Sequence, residues 1–270
     1  MIHVELLGSA FAVESDDPRW DRFFSHLWLP VSSAGDDPVT AIVRVDGDSC
    51  ELTIGDAPTF VHESAWHAAE ALRFAMVETA VKGAHDAVVL HGACLERGGR
   101  CAVLVGRSGS GKTTLTLEMV RRGWTYLSDD LAPLSRESGR VRPAPKPLGI
   151  KDPGRWAELG HHWEGFDWPG PPRHHFYVGA GSMPVYAGPP AEVGLFVFPT
   201  YRPGSPGVLG EVSAAESATL CGGSLRSVDP QALRVILEAA GRIPSVRLEY
   251  PSPEVALDLL EPYLAGFGAP

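Results

Sequence analysis

The sequence is poor in cysteine, in net positive charge and in long apolar runs. Its 270 residues hold four cysteines (50, 94, 101 and 221), none in CxxC spacing. A disulfide framework or a cysteine zinc site is therefore not expected, and reduced, buried thiols are. Lys and Arg number 23 against 33 Asp and Glu, a net charge of −10 with neutral His. That balance speaks against a broad nucleic-acid footprint, which needs clustered cations, without excluding a local basic groove. No apolar run approaches the ~20 residues needed to cross a bilayer. Met1-Ile2-His3-Val4-Glu5 lacks the basic start of a signal peptide. A soluble, cytoplasmic protein with no membrane or nucleic-acid partner is expected.

What is present is a 44% apolar fraction, enough for a real core, with 30 glycines and 24 prolines that promise many loops. The first 60 or so residues read as short strands and loops. Ala41-Ile42-Val43-Arg44-Val45 and Cys50-Glu51-Leu52-Thr53-Ile54 flank Asp46-Gly47-Asp48, a hairpin signal. Ser64 reads as an N-cap, with Leu72, Met76 and Ala80 at helical spacing before Gly83. Residues 1–85 are expected to form a small α+β region, and 86–270 the main domain.

From residue 87 the pattern changes. Ala87-Val88-Val89-Leu90 is strand-like, His91-Gly92 ends it, and Glu96-Arg97-Gly98-Gly99-Arg100 reads as a turn. Cys101-Ala102-Val103-Leu104-Val105 is a continuous apolar run, as expected of a strand buried on both faces. Gly106-Arg107-Ser108-Gly109-Ser110-Gly111-Lys112-Thr113-Thr114 follows, then a helix ending at Gly123 and a strand Trp124-Thr125-Tyr126-Leu127 that runs into Ser128-Asp129-Asp130. Downstream, Val193 to Phe198 is strand-like, Ser213-Ala214-Ala215-Glu216 is a capping box, Asp229-Pro230 and Ser252-Pro253-Glu254 open helices, and Val246 to Tyr250 is a strand.

Gly106 to Thr113 fits G-x-x-x-x-G-K-[ST] between a buried strand and an amphipathic helix. Small residues at Gly106, Ser108, Gly109, Ser110 and Gly111 let consecutive N–H groups turn toward phosphate oxygens. Lys112 has the reach for the β and γ phosphates, the Thr113 hydroxyl suits Mg²⁺, and the helix from Thr114 adds its positive end. Asp129 and Asp130 follow the next strand, 17 residues after Lys112, where a carboxylate would lie beside the loop. One suits Mg²⁺ and the other a general base, because two adjacent carboxylates cannot do one job in one place. His91 could orient a phosphate, shuttle a proton, or make a structural bond at a strand end. Among the cations Lys146, Lys151, Arg173 and Arg202, Arg202 follows a strand end and is the first candidate to stabilise a transferring phosphoryl group. The pairs His161-His162 and His174-His175 lack the spacing of a metal site. The segment around Trp163, Phe166, Trp168 and Tyr177 reads as a substrate lid or a packed surface loop.

His91-Gly92, the loop through Thr113, Arg122-Gly123-Trp124 and Leu127-Ser128-Asp129-Asp130 together resemble the catalytic domain of HPr kinase/phosphorylase. The sequence is most similar to the HPr-kinase-related proteins that occur beside peptide-modification systems. The resemblance spans about residues 87 to 260 and is strongest from His91 to Asp130. It implies an α/β fold with a P-loop kinase core of the type shared with phosphoenolpyruvate carboxykinases. It also implies ATP and Mg²⁺ as cofactors and His91, Lys112 and one of the two aspartates as catalytic. Asp130 is expected at the metal with Thr113, and Asp129 at the substrate hydroxyl. Pro145-Lys146-Pro147-Leu148-Gly149-Ile150-Lys151 resembles a further signature segment, but Ala144 stands where the family carries a Mg²⁺-binding Glu. The implied reaction is ATP-dependent phosphorylation of a serine on a peptide or small protein, and the Ala144 departure argues against the reverse phosphorylase step without deciding it. A small-molecule kinase and a nucleotide-binding accessory protein are the alternatives. The resemblance also implies assembly into an oligomer of unstated size.

Overall fold

The computed structural model describes residues 1–32, 35, 37–150 and 176–268. Helices and strands are mixed throughout, and the chain divides into two compact units. One comprises Met1–Ala84 with Pro145–Met183, the other His85–Ala144 with Pro184–Pro270. A single cut after residue 85 therefore misses part of the organisation, because the chain returns to the first unit before completing the second. Among the described residues no helix is long and apolar enough to cross a membrane.

The first unit opens with β1 (Ile2–Leu6) and β2 (Ser9–Ser15), then α1 (Pro18–Leu27), β3 (Val39–Asp46), β4 (Ser49–Ile54), β5 (Phe60–His62) and α2 (Ala65–Gly83). The strands form one sheet in the order β1-β2-β3-β4-β5. Only β2 and β3 are parallel, because α1 carries the chain back across the sheet between them. The 46–48 turn joins β3 to β4 as an antiparallel pair, with Gly47 at φ +60°. Ser64 caps α2, its hydroxyl accepting the His67 N–H. The helix α1 is absent from the sequence reading; Asp17 caps it before Pro18, and it buries Trp20, Phe23, Phe24 and Leu27. Phe23 meets Trp66 edge-on at 5.2 Å, which joins the two helices in one aromatic core.

The second unit contains β6 (Ala87–Leu90), β7 (Gly92–Arg97), β8 (Arg100–Val105), α3 (Lys112–Arg121), β9 (Thr125–Ser128) and β10 (Ala132–Ser135). After β11 (Leu148–Ile150) and β12 (Phe176–Val178) in the first unit come β13 (Glu192–Tyr201), β14 (Val208–Glu211), α4 (Ala214–Gly222), α5 (Pro230–Arg242), β15 (Ser245–Tyr250) and α6 (Pro253–Leu264). The main sheet has the order β14-β15-β13-β8-β7-β9. Its centre, β15, β13 and β8, is parallel, and β7 and β14 run against it. Cys101 through Val105 are 0–1% exposed, and they pack into a core with Phe196 and Ile236. Burying each of Val103, Leu104 and Val105 contributes about 1.5–3 kcal/mol, which holds the strand feeding the glycine-rich loop.

Strand β7 differs from expectation. Residues 92–97 form a full strand, joined to β8 through Gly98 and Gly99, both at positive φ as a tight hairpin requires. Strand β9 therefore pairs with β7 and not with β8. Two antiparallel steps still leave β9 running in the direction of β8, so Asp129 and Asp130 emerge at the same end of the sheet as the loop. All four cysteines are free and buried. Burial pushes the Cys50 thiol up to about 11 and that of Cys221 to about 12, away from the range where thiols react.

Candidate active site

The glycine-rich loop leaves β8 at Val105 and enters α3 at Lys112. Two glycines make the turn. Gly109 sits at φ +83° and Gly111, the N-cap of α3, at φ +95°. At Gly111 the restriction is also steric. A Cβ there would lie 2.0 Å from Tyr250 Oη, whose hydroxyl donates to the Gly111 carbonyl at 2.9 Å. The Tyr201 N–H donates to the Ser110 carbonyl at 3.0 Å. The ends of β13 and β15 thus clamp the loop from behind. Ser110 Oγ is buried with no hydrogen-bond partner among the described residues. An orphan hydroxyl inside a loop of small residues fits a site that holds a polar ligand.

Lys112 is 4% exposed. Its ammonium donates to the carbonyls of Gly106 at 2.7 Å and Arg107 at 3.1 Å, and lies 3.4 Å from His91 Nε2. A buried ammonium held by carbonyls is costly to keep in place without an anion to meet. The Thr113 hydroxyl donates to Asp129 Oδ2 at 3.1 Å, and Asp129 is 1% exposed. Asp130 turns the other way. It is a non-glycine residue at φ +62°, its carboxylate is partly exposed, and Oδ1 stands 3.8 Å from His91 Nε2. The buried Ser128 hydroxyl donates to the Leu131 carbonyl and staples the turn that aims the two aspartates apart.

Five of the expected residues therefore come together: His91, Lys112, Thr113, Asp129 and Asp130. The hydroxyl of Thr113 meets Asp129, whereas Asp130 is the aspartate expected beside it. Two oxygens of the hard type that Mg²⁺ prefers, one hydroxyl and one carboxylate, stand side by side there. Among the described residues no cluster of three His, Cys, Asp or Glu forms a resident metal site. The Thr113–Asp129 pair offers two of the roughly six oxygen ligands that Mg²⁺ takes.

Arg202 does not join the group. Its guanidinium is 68% exposed and pairs with Glu249 at 3.0 Å. Lys146 belongs to the first unit and is buried, donating to the Pro147 carbonyl at 3.5 Å. Lys151, Arg173, the two His pairs, Trp163, Phe166 and Trp168 lie outside the described residues. Tyr177 stacks on Trp66 at 5.6 Å as a packed core residue. Ala144 is 1% exposed and donates its N–H to the Leu127 carbonyl, so no carboxylate stands at that place.

Residues distant in sequence complete the site. The His91 N–H donates to the Ser224 carbonyl at 2.6 Å, and the Arg226 N–H to the Val89 carbonyl. Tyr250 reaches Gly111 from 139 residues away, a separation that no local motif signals. A cleft of about 670 Å³ runs along the loop, lined by residues 106–110, Phe198, Thr200, Leu220 and Ser224. Its size suits a small organic ligand.

Burial and the Lys112 ammonium pull the His91 imidazole below its ordinary 6.5, and Asp130 opposes them only in part. A histidine whose folded pKa is depressed contributes stability in full above 6.5 and loses it as the pH falls through the lower folded value. Urea unfolding from neutral to mildly acid pH should show the native chain losing stability relative to His91→Gln once the pH drops below 6.5. Parallel curves for the two proteins would contradict this.

No protein-family model and no curated protein matches the chain.

Proposed function

We propose that the chain is an ATP-dependent phosphotransferase that moves the γ-phosphate of ATP to a hydroxyl group. The reading is supported by one arrangement: a buried lysine in a glycine-rich loop, a threonine–carboxylate pair beside it, and a second carboxylate turned away toward a histidine. It includes the P-loop kinase core and the kinship with HPr kinase that the motifs resemble. The loop amides and Lys112 would bind the triphosphate. Thr113 and Asp129 would hold Mg²⁺, which when bound neutralises charge on the phosphates. Asp130 accepts the proton of the acceptor hydroxyl, and His91, neutral near pH 7, keeps that carboxylate facing outward.

A serine on a peptide or small protein is the acceptor that the resemblance implies. Ala144 in place of a second metal-binding carboxylate supports a forward kinase without the reverse phosphorylase step. The test is incubation with γ-labelled ATP, Mg²⁺ and the peptide products of neighbouring genes, read by mass spectrometry. Label on a serine, with a mass gain of one phosphate, is the expected result. Label on a small molecule would make it a small-molecule kinase. Nucleotide binding with only free phosphate released, or no reaction, would make it an accessory protein and overturn the proposal.

A further inference from the structure

Strands β8 and β13 have a second end. Arg100 opens β8 and Glu192 opens β13, while Val105 and Tyr201 at the opposite ends reach the loop. A cavity of about 290 Å³ lies at this far end, with Arg100, Arg140 and Arg242 in its wall. A chain of net charge −10 offers carboxylates in excess, and Arg136 and Arg142 each take one at 2.6 Å. The three cavity arginines take none among the described residues. Arg100 donates to the Gly266 carbonyl at 3.3 Å, Arg140 to that of Pro190 at 3.4 Å, and Arg242 to that of Glu238 at 3.3 Å. One long bond each leaves most of the five donors of a guanidinium unused. Arg242 closes α5, where the helix dipole favours a cation. That reason does not extend to Arg100 or Arg140.

The fold also makes room for this arrangement. The β13–β8 register shifts between Val193 and Leu195, and the residue at the bulge is Gly194. A Cβ at Gly194 would lie 2.9 Å from Arg100 Nε and 2.7 Å from the Phe267 ring, on which the Arg100 guanidinium rests at 5.1 Å. A bulge with a glycine beds one arginine at the cavity wall, as bulges do beside binding sites. Three like charges around one cavity repel unless an anion joins them. Among the described residues Glu192 is the only carboxylate in the lining, which leaves two net positive charges there.

We infer that this cavity is a second anion site, taking a small phosphate-bearing dianion on Arg100, Arg140 and Arg242. The planar guanidinium fork matches phosphate oxygens in pairs, and the volume suits a phosphate with a few further atoms rather than a nucleotide. The site is independent of the phosphotransferase reading, because it stands at the other end of the strands from the loop.

The test is calorimetric titration of the whole chain with inorganic phosphate at constant ionic strength. Lys112→Ala removes the loop as the competing phosphate site, and binding is expected to persist in it. Adding Arg140→Gln and Arg242→Gln, two exposed side chains with one long bond each, should weaken that binding about tenfold or more. Mg·ATP affinity of the double variant with an intact loop should stay unchanged. If Lys112→Ala fails to fold, the double variant alone should lower the number of phosphates bound by one. Phosphate affinity unaltered by the two substitutions, or matched by chloride at equal ionic strength, would overturn the inference.

Discussion

Replacing Gly111 with alanine is expected to abolish Mg·ATP binding and to destabilise the second unit by about 2–6 kcal/mol. About 1–3 kcal/mol of that comes from forcing a side chain into a left-handed backbone conformation, and about 1–3 kcal/mol from overpacking. The new Cβ would fall 2.0 Å from Tyr250 Oη and 3.0 Å from Tyr201 Cβ, at the two contacts that hold the loop against β13 and β15. Neither neighbour can retreat cheaply. Tyr250 is 0% exposed, and the Tyr201 backbone is fixed by its bond to Ser110. The controls separate the two costs. Gly109 has a similar φ with open space around its missing side chain, so Gly109→Ala should cost only the backbone part, about 1–3 kcal/mol. Tyr250→Phe in the Gly111→Ala background removes the atom at 2.0 Å and should restore part of the stability. Urea unfolding and calorimetry read both quantities. Native-like Mg·ATP affinity in Gly111→Ala would show that the loop does not depend on this clamp.

How far the sequence discloses this architecture depends on whether the signal is local. Ser64, Ser213, Asp229 and Ser252 mark helix starts because a capping side chain and the N–H that it satisfies are neighbours in the chain. Asp17-Pro18 carries the same signal as Asp229-Pro230, so α1 was open to the same reading. The 92–97 strand was obscured by its own turn, whose Gly98 and Gly99 draw attention while the strand begins at a glycine that also looks like a break. Its consequence, β9 separated from β8 by one strand, is a fact of pairing order that periodicity does not encode. The glycine-rich loop is legible because its chemistry sits in nine consecutive residues. Tyr250 and Ser224 are not, since each acts through a backbone contact made only after the sheet has assembled. The different placements of Asp129 and Asp130 also lie beyond composition. Adjacent, identical side chains are distinguished here by the folded turn, with φ of +62° at the second, one meeting Thr113 and the other standing toward His91.

That backbone angle makes stability and activity pull apart at Asp130. Asp130→Gly should relieve the left-handed strain and raise the unfolding free energy by about 1 kcal/mol. The same substitution removes the carboxylate assigned to the acceptor proton, and phosphoryl transfer should fall by about 10²–10⁴. Asp130→Asn keeps the side-chain length and should lose transfer to a similar degree while still binding Mg·ATP. Asp129→Asn should behave differently, because its carboxylate meets the Thr113 hydroxyl. An amide can still accept that bond but carries no charge for a divalent ion, so nucleotide affinity should stop responding to Mg²⁺. Labelled-ATP transfer, calorimetry with and without Mg²⁺, and urea unfolding on the same three variants give a pattern that only this assignment produces. Should Asp129→Asn keep the Mg²⁺ response while Asp130→Asn loses it, the two aspartates hold each other's roles. A gain in stability at Asp130→Gly with transfer unchanged would remove Asp130 from the chemistry altogether, leaving its strained backbone without a functional reason.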